Sequence, residues 1–112
     1  MPPYLQVDLP LCLTRVGGDM ELLREIAVLF IEDCPRAVAE LREAIERQDA
    51  LKLENAAHAL KGSVANFGAQ AAVDAAFRLE QMGRRGDLAE SAAALGILER
   101  ALATVCAELA TL

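Results

Sequence analysis

The chain has 112 residues, which is enough for one domain with a hydrophobic core and too few for two. Hydrophobic residues make up 54% of it and aromatic residues only 4%, which excludes a disordered chain and disfavours aromatic-rich β-sandwiches and barrels. The net charge of −6 gives the chain little attraction for phosphate backbones or anionic membrane surfaces. We therefore expect a helical domain that binds no nucleic acid and makes no direct membrane contact.

The cysteines and the N-terminus indicate the cellular compartment. Cys12, Cys34 and Cys106 are far apart and lie within apolar or helical patterns, so the sequence predicts no disulfide framework. The first residues lack the positive segment and apolar core of a secretory signal, and no apolar run approaches the roughly 18 residues of a membrane-spanning helix. We expect a cytoplasmic location.

The first half of the chain contains signals for two helices. Asp8 is a candidate N-cap for a short helix over residues 8–16, which the Gly17-Gly18 pair ends. Asp19 is a candidate N-cap for a second helix, in which Pro35 interrupts the pattern and leaves either one kinked helix or two helices meeting there. Its apolar stripe consists of Leu23, Ile26, Phe30, Cys34, Val38, Leu41 and Ile45.

The second half contains three more amphipathic helices. Asp49 is expected to cap the third, whose apolar seam is Leu53, Ala57, Leu60, Val64 and Phe67. The fourth runs from residue 69 to about residue 85, where Gly83-Arg84-Arg85-Gly86 is predicted to form a turn. Asp87 and Glu90 form a candidate cap pair for the last helix, whose inward residues are Leu88, Leu95, Leu98, Leu102, Val105 and Leu109.

Short connections make consecutive helices antiparallel, so the predicted fold is all-α. It is an antiparallel up-down four-helix bundle with a short extra N-terminal helix. Residues 1–6 are predicted to be a loose N-terminus, and residues 7–112 to form the bundle domain. Because the apolar stripes are all used internally, we expect a monomer.

Most catalytic arrangements are excluded by composition. A single histidine is too few for a His-rich metal site or for the paired Glu-x-x-His motifs of di-iron bundles, so we predict no metal site. No glycine-rich phosphate loop occurs, so the chain is not expected to bind ATP.

His58 is the residue at which chemistry is expected. It lies about 140° from the centre of the third helix's apolar seam and should face solvent. Lys61, Gly62 and Ala65 share its face, and a glycine inside a helix costs about 1 kcal/mol relative to alanine. An exposed imidazole with a cation beside it and little bulk around it is a nucleophile suited to a phosphoryl group. The alternative from the wheel alone is an inert surface histidine.

The residues around His58 resemble a known family, the histidine-containing phosphotransfer (HPt) domains of two-component phosphorelays. The segment Ala57-His58-Ala59-Leu60-Lys61-Gly62-Ser63-Val64-Ala65-Asn66-Phe67-Gly68-Ala69 matches the family pattern, and Ala76-x-x-Leu79-Glu80-x-x-Gly83-Arg84 is similar to its continuation. The chain departs from the pattern at Ala72, where leucine is usual, and at Val64, where a small residue is usual.

The resemblance implies that His58 accepts a phosphoryl group from the aspartyl phosphate of one response-regulator receiver domain and passes it to another. Lys61 would then support the phosphoryl oxygens, and Gly62 would give room for the phosphohistidine and the receiver. No cofactor is expected on this chain, because the Mg²⁺ would lie on the receiver domain. From the wheel, Leu51, Asn55 and Ala65 are candidate docking residues. The resemblance also implies a second polar partner for the imidazole from the next helix, for which Arg78 and Gln81 are the candidates.

Three other possibilities accompany this interpretation. A dimerisation and phosphoacceptor domain of a sensor kinase is disfavoured, because an alanine follows His58 and no proline occurs after Pro35. A non-catalytic helical adaptor with an inert histidine is the alternative function. The chain is either free-standing or the C-terminal module of a hybrid sensor kinase.

Overall fold

The computed structural model describes residues 6–112, and these form five α-helices. In chain order the helices are α1 (Leu9–Arg15), α2 (Met20–Glu46), α3 (Ala50–Ala65), α4 (Gln70–Arg85) and α5 (Ser91–Leu109). The described residues contain no β-strand. The prediction of a four-helix bundle with a short N-terminal helix is therefore confirmed.

Only Gln6 of the predicted loose N-terminus falls among the described residues, and residues 1–5 lie outside them. The backbone N–H groups of Gln6 and Val7 donate to the carboxylate of Glu108 at 2.9 Å. This contact attaches the beginning of the described chain to α5.

Three aspartates begin the first three helices, as the sequence predicts. Asp8, Asp19 and Asp49 each accept a hydrogen bond from the backbone N–H three residues further along, at 3.1, 3.0 and 3.0 Å. Each bond satisfies a donor that has no partner within the helix. After α1, Gly17 and Gly18 adopt left-handed φ values of 64° and 80°, which reverse the chain into α2.

α2 is one continuous helix through Pro35, which decides between the two alternatives for this segment. Leu23, Cys34 and Leu41 of the predicted stripe are buried. Two alanines that the stripe did not include, Ala27 and Ala44, are buried as well. The small side chains let neighbouring helices approach α2 between its larger residues.

The prediction that the turn after α4 starts at Gly83 was wrong. The helix continues to Arg85, and Gly86 ends it in the left-handed conformation with φ 69°. Gly83 lies inside the helix, where a Cβ would come within 2.6 Å of the backbone nitrogen of Glu54 and 2.7 Å of the carbonyl oxygen of Ala50. The glycine is needed because the backbones of α3 and α4 almost touch there.

The predicted cap pair of the last helix was also wrong. α5 begins at Ser91, and neither Asp87 nor Glu90 caps it with a side-chain hydrogen bond. The carboxylate of Asp87 instead accepts from the backbone N–H of Ala89 at 3.3 Å, because an additional turn separates Gly86 from the helix.

The helices surround one hydrophobic core. α3 lies beside α2 and α4, and α5 lies beside the same two helices, across the core from α3. Every residue of the predicted α3 seam is at least 95% buried, and the α5 residues Leu95, Leu98, Leu102, Val105 and Leu109 are buried opposite it. Across residues 6–112 no helix is both long and apolar enough to cross a bilayer.

Candidate functional site

His58 projects from the middle of α3 away from the core. Its neighbours Ala57 and Leu60 are buried, and 69% of its own side chain is exposed. The helical wheel therefore predicted its orientation correctly, because a seam that buries one side of α3 turns His58 outward.

The imidazole contacts a buried carboxylate that the sequence analysis did not select. Nδ1 of His58 lies 3.0 Å from Oε1 of Glu80 on α4, whose side chain is only 3% exposed. Nζ of Lys61 lies 2.9 Å from the same oxygen, and the second oxygen accepts from Arg84 at 3.1 Å. Glu80 thus has three partners, which is what a buried charge requires.

The electrostatics of this cluster keep Glu80 ionised. The hydrogen bond from the Lys61 ammonium holds the pKa of Glu80 below its ordinary value, and the hydrogen bond with His58 acts in the same direction against the opposing effect of burial. Arg84 extends the cluster to Glu54 on α3, where Nε donates to the carboxylate at 3.0 Å. The charged cluster therefore joins α3 and α4.

The contact with Glu80 determines which nitrogen of the neutral imidazole ring carries the proton. An ionised carboxylate only accepts hydrogen bonds, so Nδ1 must carry the proton that is donated to Glu80. In the neutral ring, Nε2 then has a free lone pair. Because most of the side chain is exposed, Nε2 is the nitrogen that a reacting partner can reach.

Lys61 lies beside the ring, at the place the sequence analysis expected. Its ammonium binds Glu80 and also lies 4.8 Å from the centre of the Phe77 ring, within the range of a cation–π contact. These contacts fix its position next to His58.

The remaining candidates lie along the same surface of α3. Leu51 is 67% exposed, Asn55 and Gly62 are exposed, and Ala65 is half-buried. A Cβ built on Gly62 meets no atom within 4 Å. The surface on the C-terminal side of His58 is therefore open, as the two small residues predicted.

The imidazole has a second polar partner on the next helix, as expected, but the candidates Arg78 and Gln81 were wrong. Arg78 and Gln81 line a different groove together with Arg85 and Asp87, and Glu80 occupies the position beside the ring. One signal in the sequence could have identified it. Glu80 lies four residues after Ala76 and three before Gly83, and all three are buried on the face of α4 that meets α3.

No group of three or more potential metal-ligating side chains occurs among residues 6–112.

Comparisons with known proteins identify the family and the fold. A family model described as the Hpt domain matches residues 25–110. Among solved structures, the chain is similar to the crystal structure of histidine-containing phosphotransfer protein B (HptB) from Pseudomonas aeruginosa PAO1, with a TM-score of 0.89 and 24% sequence identity over 96% of this chain and 94% of that one. No curated protein matches the chain. At this identity the structural match establishes the fold.

Proposed function

We infer that this chain, which belongs to the Hpt domain family and is thus a histidine phosphotransfer module, is a phosphorelay intermediate that carries the phosphoryl group on His58. The group comes from the aspartyl phosphate of one receiver domain and goes to the aspartate of another. The observation that carries this proposal is the exposed imidazole whose Nδ1 is held by the buried Glu80.

In the forward step, the lone pair of Nε2 forms a bond to phosphorus while the bond between phosphorus and the aspartyl oxygen breaks. The aspartate leaves as a carboxylate with the electron pair of that bond. No general base is needed, because Nε2 carries no proton to remove. The return step is the same displacement, with a second aspartate as the nucleophile and Nε2 as the leaving group.

Glu80 stabilises the charge that this step creates. The ring becomes positive as Nε2 bonds to phosphorus, because Nδ1 keeps its proton. The carboxylate oxygen 3.0 Å from Nδ1 is placed to stabilise that charge and to fix the angle of the ring. Glu80 therefore acts as a positioning and electrostatic residue and does not touch the phosphoryl group.

Lys61 has two roles in this mechanism. It keeps Glu80 ionised through their 2.9 Å contact. Its positive charge beside the imidazole also attracts the phosphoryl oxygens as they arrive.

The partners are receiver domains, which dock on α3 around His58. Leu51 supplies apolar contact on one side of the histidine, Asn55 supplies a hydrogen-bonding group, and Gly62 and Ala65 leave space on the other side. We propose that the chain needs no cofactor and that Mg²⁺ is held by the receiver. The same reaction serves a free-standing protein and the C-terminal module of a hybrid sensor kinase.

The test is phosphorylation by phosphoramidate, followed by intact mass before and after mild acid. We expect one acid-labile phosphoryl group on the wild type and none on His58→Gln, which keeps a polar side chain of similar size. Circular dichroism confirms that both proteins are folded, as an exposed position requires.

Transfer is then measured from phosphorylated receiver domains. Uptake from at least one receiver, lost in His58→Gln, supports the relay. A folded wild type that takes up no phosphoryl group from phosphoramidate or from a panel of receivers would refute it and favour the inert helical adaptor.

A further inference from the structure

Two cysteines on different helices share one groove. Cys34 on α2 is 8% exposed and Cys106 on α5 is partly exposed, and both line the groove between these helices with Ile31, Val38 and Leu102. Both side chains line this groove, so the two thiols face the same space, and the interaction between them contributes to the pKa of each. Both are free thiols.

The proposed phosphotransfer function does not use this pair. His58 and its charged partners lie on α3 and α4, whereas Cys34 lies on α2 and Cys106 lies on α5. The third cysteine, Cys12, lies on α1 and is buried, and its thiol faces the carbonyl oxygen of Asn66. Cys34 and Cys106 thus form a pair of thiols that is separate from the phosphotransfer site and from Cys12.

The two thiols differ in reactivity. Burial, with a smaller contribution from Cys106, raises the pKa of Cys34 to about 12. Burial also raises the pKa of Cys106, but there the hydrogen bond with Cys34 opposes it. Cys106 is also the more exposed of the two. Because the thiolate is the nucleophile and Cys106 is the more accessible thiol, an external reagent is expected to react with Cys106 first.

We propose that Cys34 and Cys106 form a dithiol site that a low-molecular-weight disulfide of the glutathione type oxidises to an intramolecular crosslink between α2 and α5. In the first step the Cys106 thiolate attacks one sulfur of the reagent, the sulfur–sulfur bond breaks, and one reduced thiol leaves with the proton that Cys106 gave up. In the second step the Cys34 thiolate attacks the sulfur of Cys106, and the second thiol leaves with the proton of Cys34. The reagent gains the two electrons that the cysteines lose.

The crosslink changes stability in a measurable way. It closes a loop of about 70 residues, which restricts the unfolded chain strongly, so we expect the Tm of the oxidised protein to rise by at least about 10 °C. In a reducing compartment the dithiol is the resting form, and the crosslink forms when the disulfide pool increases.

The experiment treats the folded protein with oxidised glutathione and measures its intact mass, its peptide map and its Tm. The wild type is expected to lose two hydrogen atoms and to yield one linked peptide pair containing Cys34 and Cys106. Cys12→Ala, the matched control, is expected to do the same. Cys34→Ala should stop after the first step with one glutathione on Cys106, and Cys106→Ala should form no intramolecular crosslink.

Four results would contradict the proposed crosslink. Stable glutathione adducts on the folded wild type without a linked pair, crosslinks only between two chains, or a linked pair that includes Cys12 would each overturn the proposal. A folded wild type that does not react under conditions in which the unfolded chain does would overturn it as well. The Tm separates a crosslink in the native fold, which raises it, from oxidation that distorts the bundle, which lowers it.

Discussion

Replacing Glu80 with glutamine tests whether its charge, rather than its shape, supports the reaction at His58. Glutamine keeps the length of the side chain and an oxygen that can accept from Nδ1, but it removes the negative charge 3.0 Å from the ring. At that distance a full unit charge is worth about 1.4 kcal/mol in water and about 5.5 kcal/mol at an effective dielectric constant of about 20. Because the ring is largely exposed, values near the lower figure apply.

Only part of the positive charge has developed on the ring in the transition state. Taking about half of it gives a barrier increase of roughly 0.7–2.8 kcal/mol, so we expect phosphorylation to slow by about three- to a hundredfold, with a value near threefold most consistent with the exposure of the ring.

The assay follows the rate of phosphoryl uptake from phosphoramidate by intact mass, with the Tm and circular dichroism recorded for each variant. Glu90→Gln is the matched control, because it removes the same charge from an exposed carboxylate at the start of α5 that makes no capping hydrogen bond. A folded Glu80→Gln variant that reacts as fast as the wild type and as Glu90→Gln would refute the electrostatic role of Glu80.

Three further predictions follow from particular contacts. Gly83→Ala is expected to lower the free energy of unfolding by about 1–3 kcal/mol, because its Cβ would overlap the α3 backbone. Gly96→Ala lies in an open part of α5 and is expected to raise the free energy of unfolding by about 0.5–1 kcal/mol. Thermal unfolding of both variants measures these changes. The ordinary pKa of Glu80 is 4.5 and its folded value is lower, so its ionised form contributes stability above about pH 4.5 that is lost as the pH falls through the folded value. The Tm difference between the wild type and Glu80→Gln should shrink over that range, and a constant difference would contradict the assignment. Gly62→Gln should leave uptake from phosphoramidate within about twofold but slow transfer from receivers at least about tenfold, because the space above Gly62 is open to a small donor and needed by a large one. Equal effects on both donors would show that Gly62 does not serve docking.

The orientation of α3 could be predicted from the sequence because one strong pattern determines it. Leu53, Ala57, Leu60 and Val64 follow a 4-3-4 spacing, and a helix with such a seam can bury only one side. The exposure of His58 follows from that geometry. The three aspartate caps were equally predictable, because their hydrogen bonds are local and depend on little beyond the next three residues.

The sequence carries a weaker signal for the role of Glu80, which is its spacing from the small residues Ala76 and Gly83. Its position depends on the rotation of α4 against α3, and that rotation is set by Gly83 and the buried alanines of α4 rather than by a stripe of large residues. An acidic residue in an amphipathic helix is ordinarily solvated, and the sequence analysis named Arg78 and Gln81 as the candidate polar partners instead. The burial of Glu80 is explained by its two partners on α3, His58 and Lys61, which compensate its charge.

The site is also local in sequence, since every residue of the charged cluster lies between Glu54 and Arg84. This segment is a single helical hairpin, α3 and α4 with the short connection between them. Its contacts have low contact order, so the geometry around His58 is established as soon as the two helices pair. The same locality makes the hairpin a unit for transplantation: a designed bundle that accepts α3 and α4 at this spacing would receive the nucleophile together with the groups that orient it.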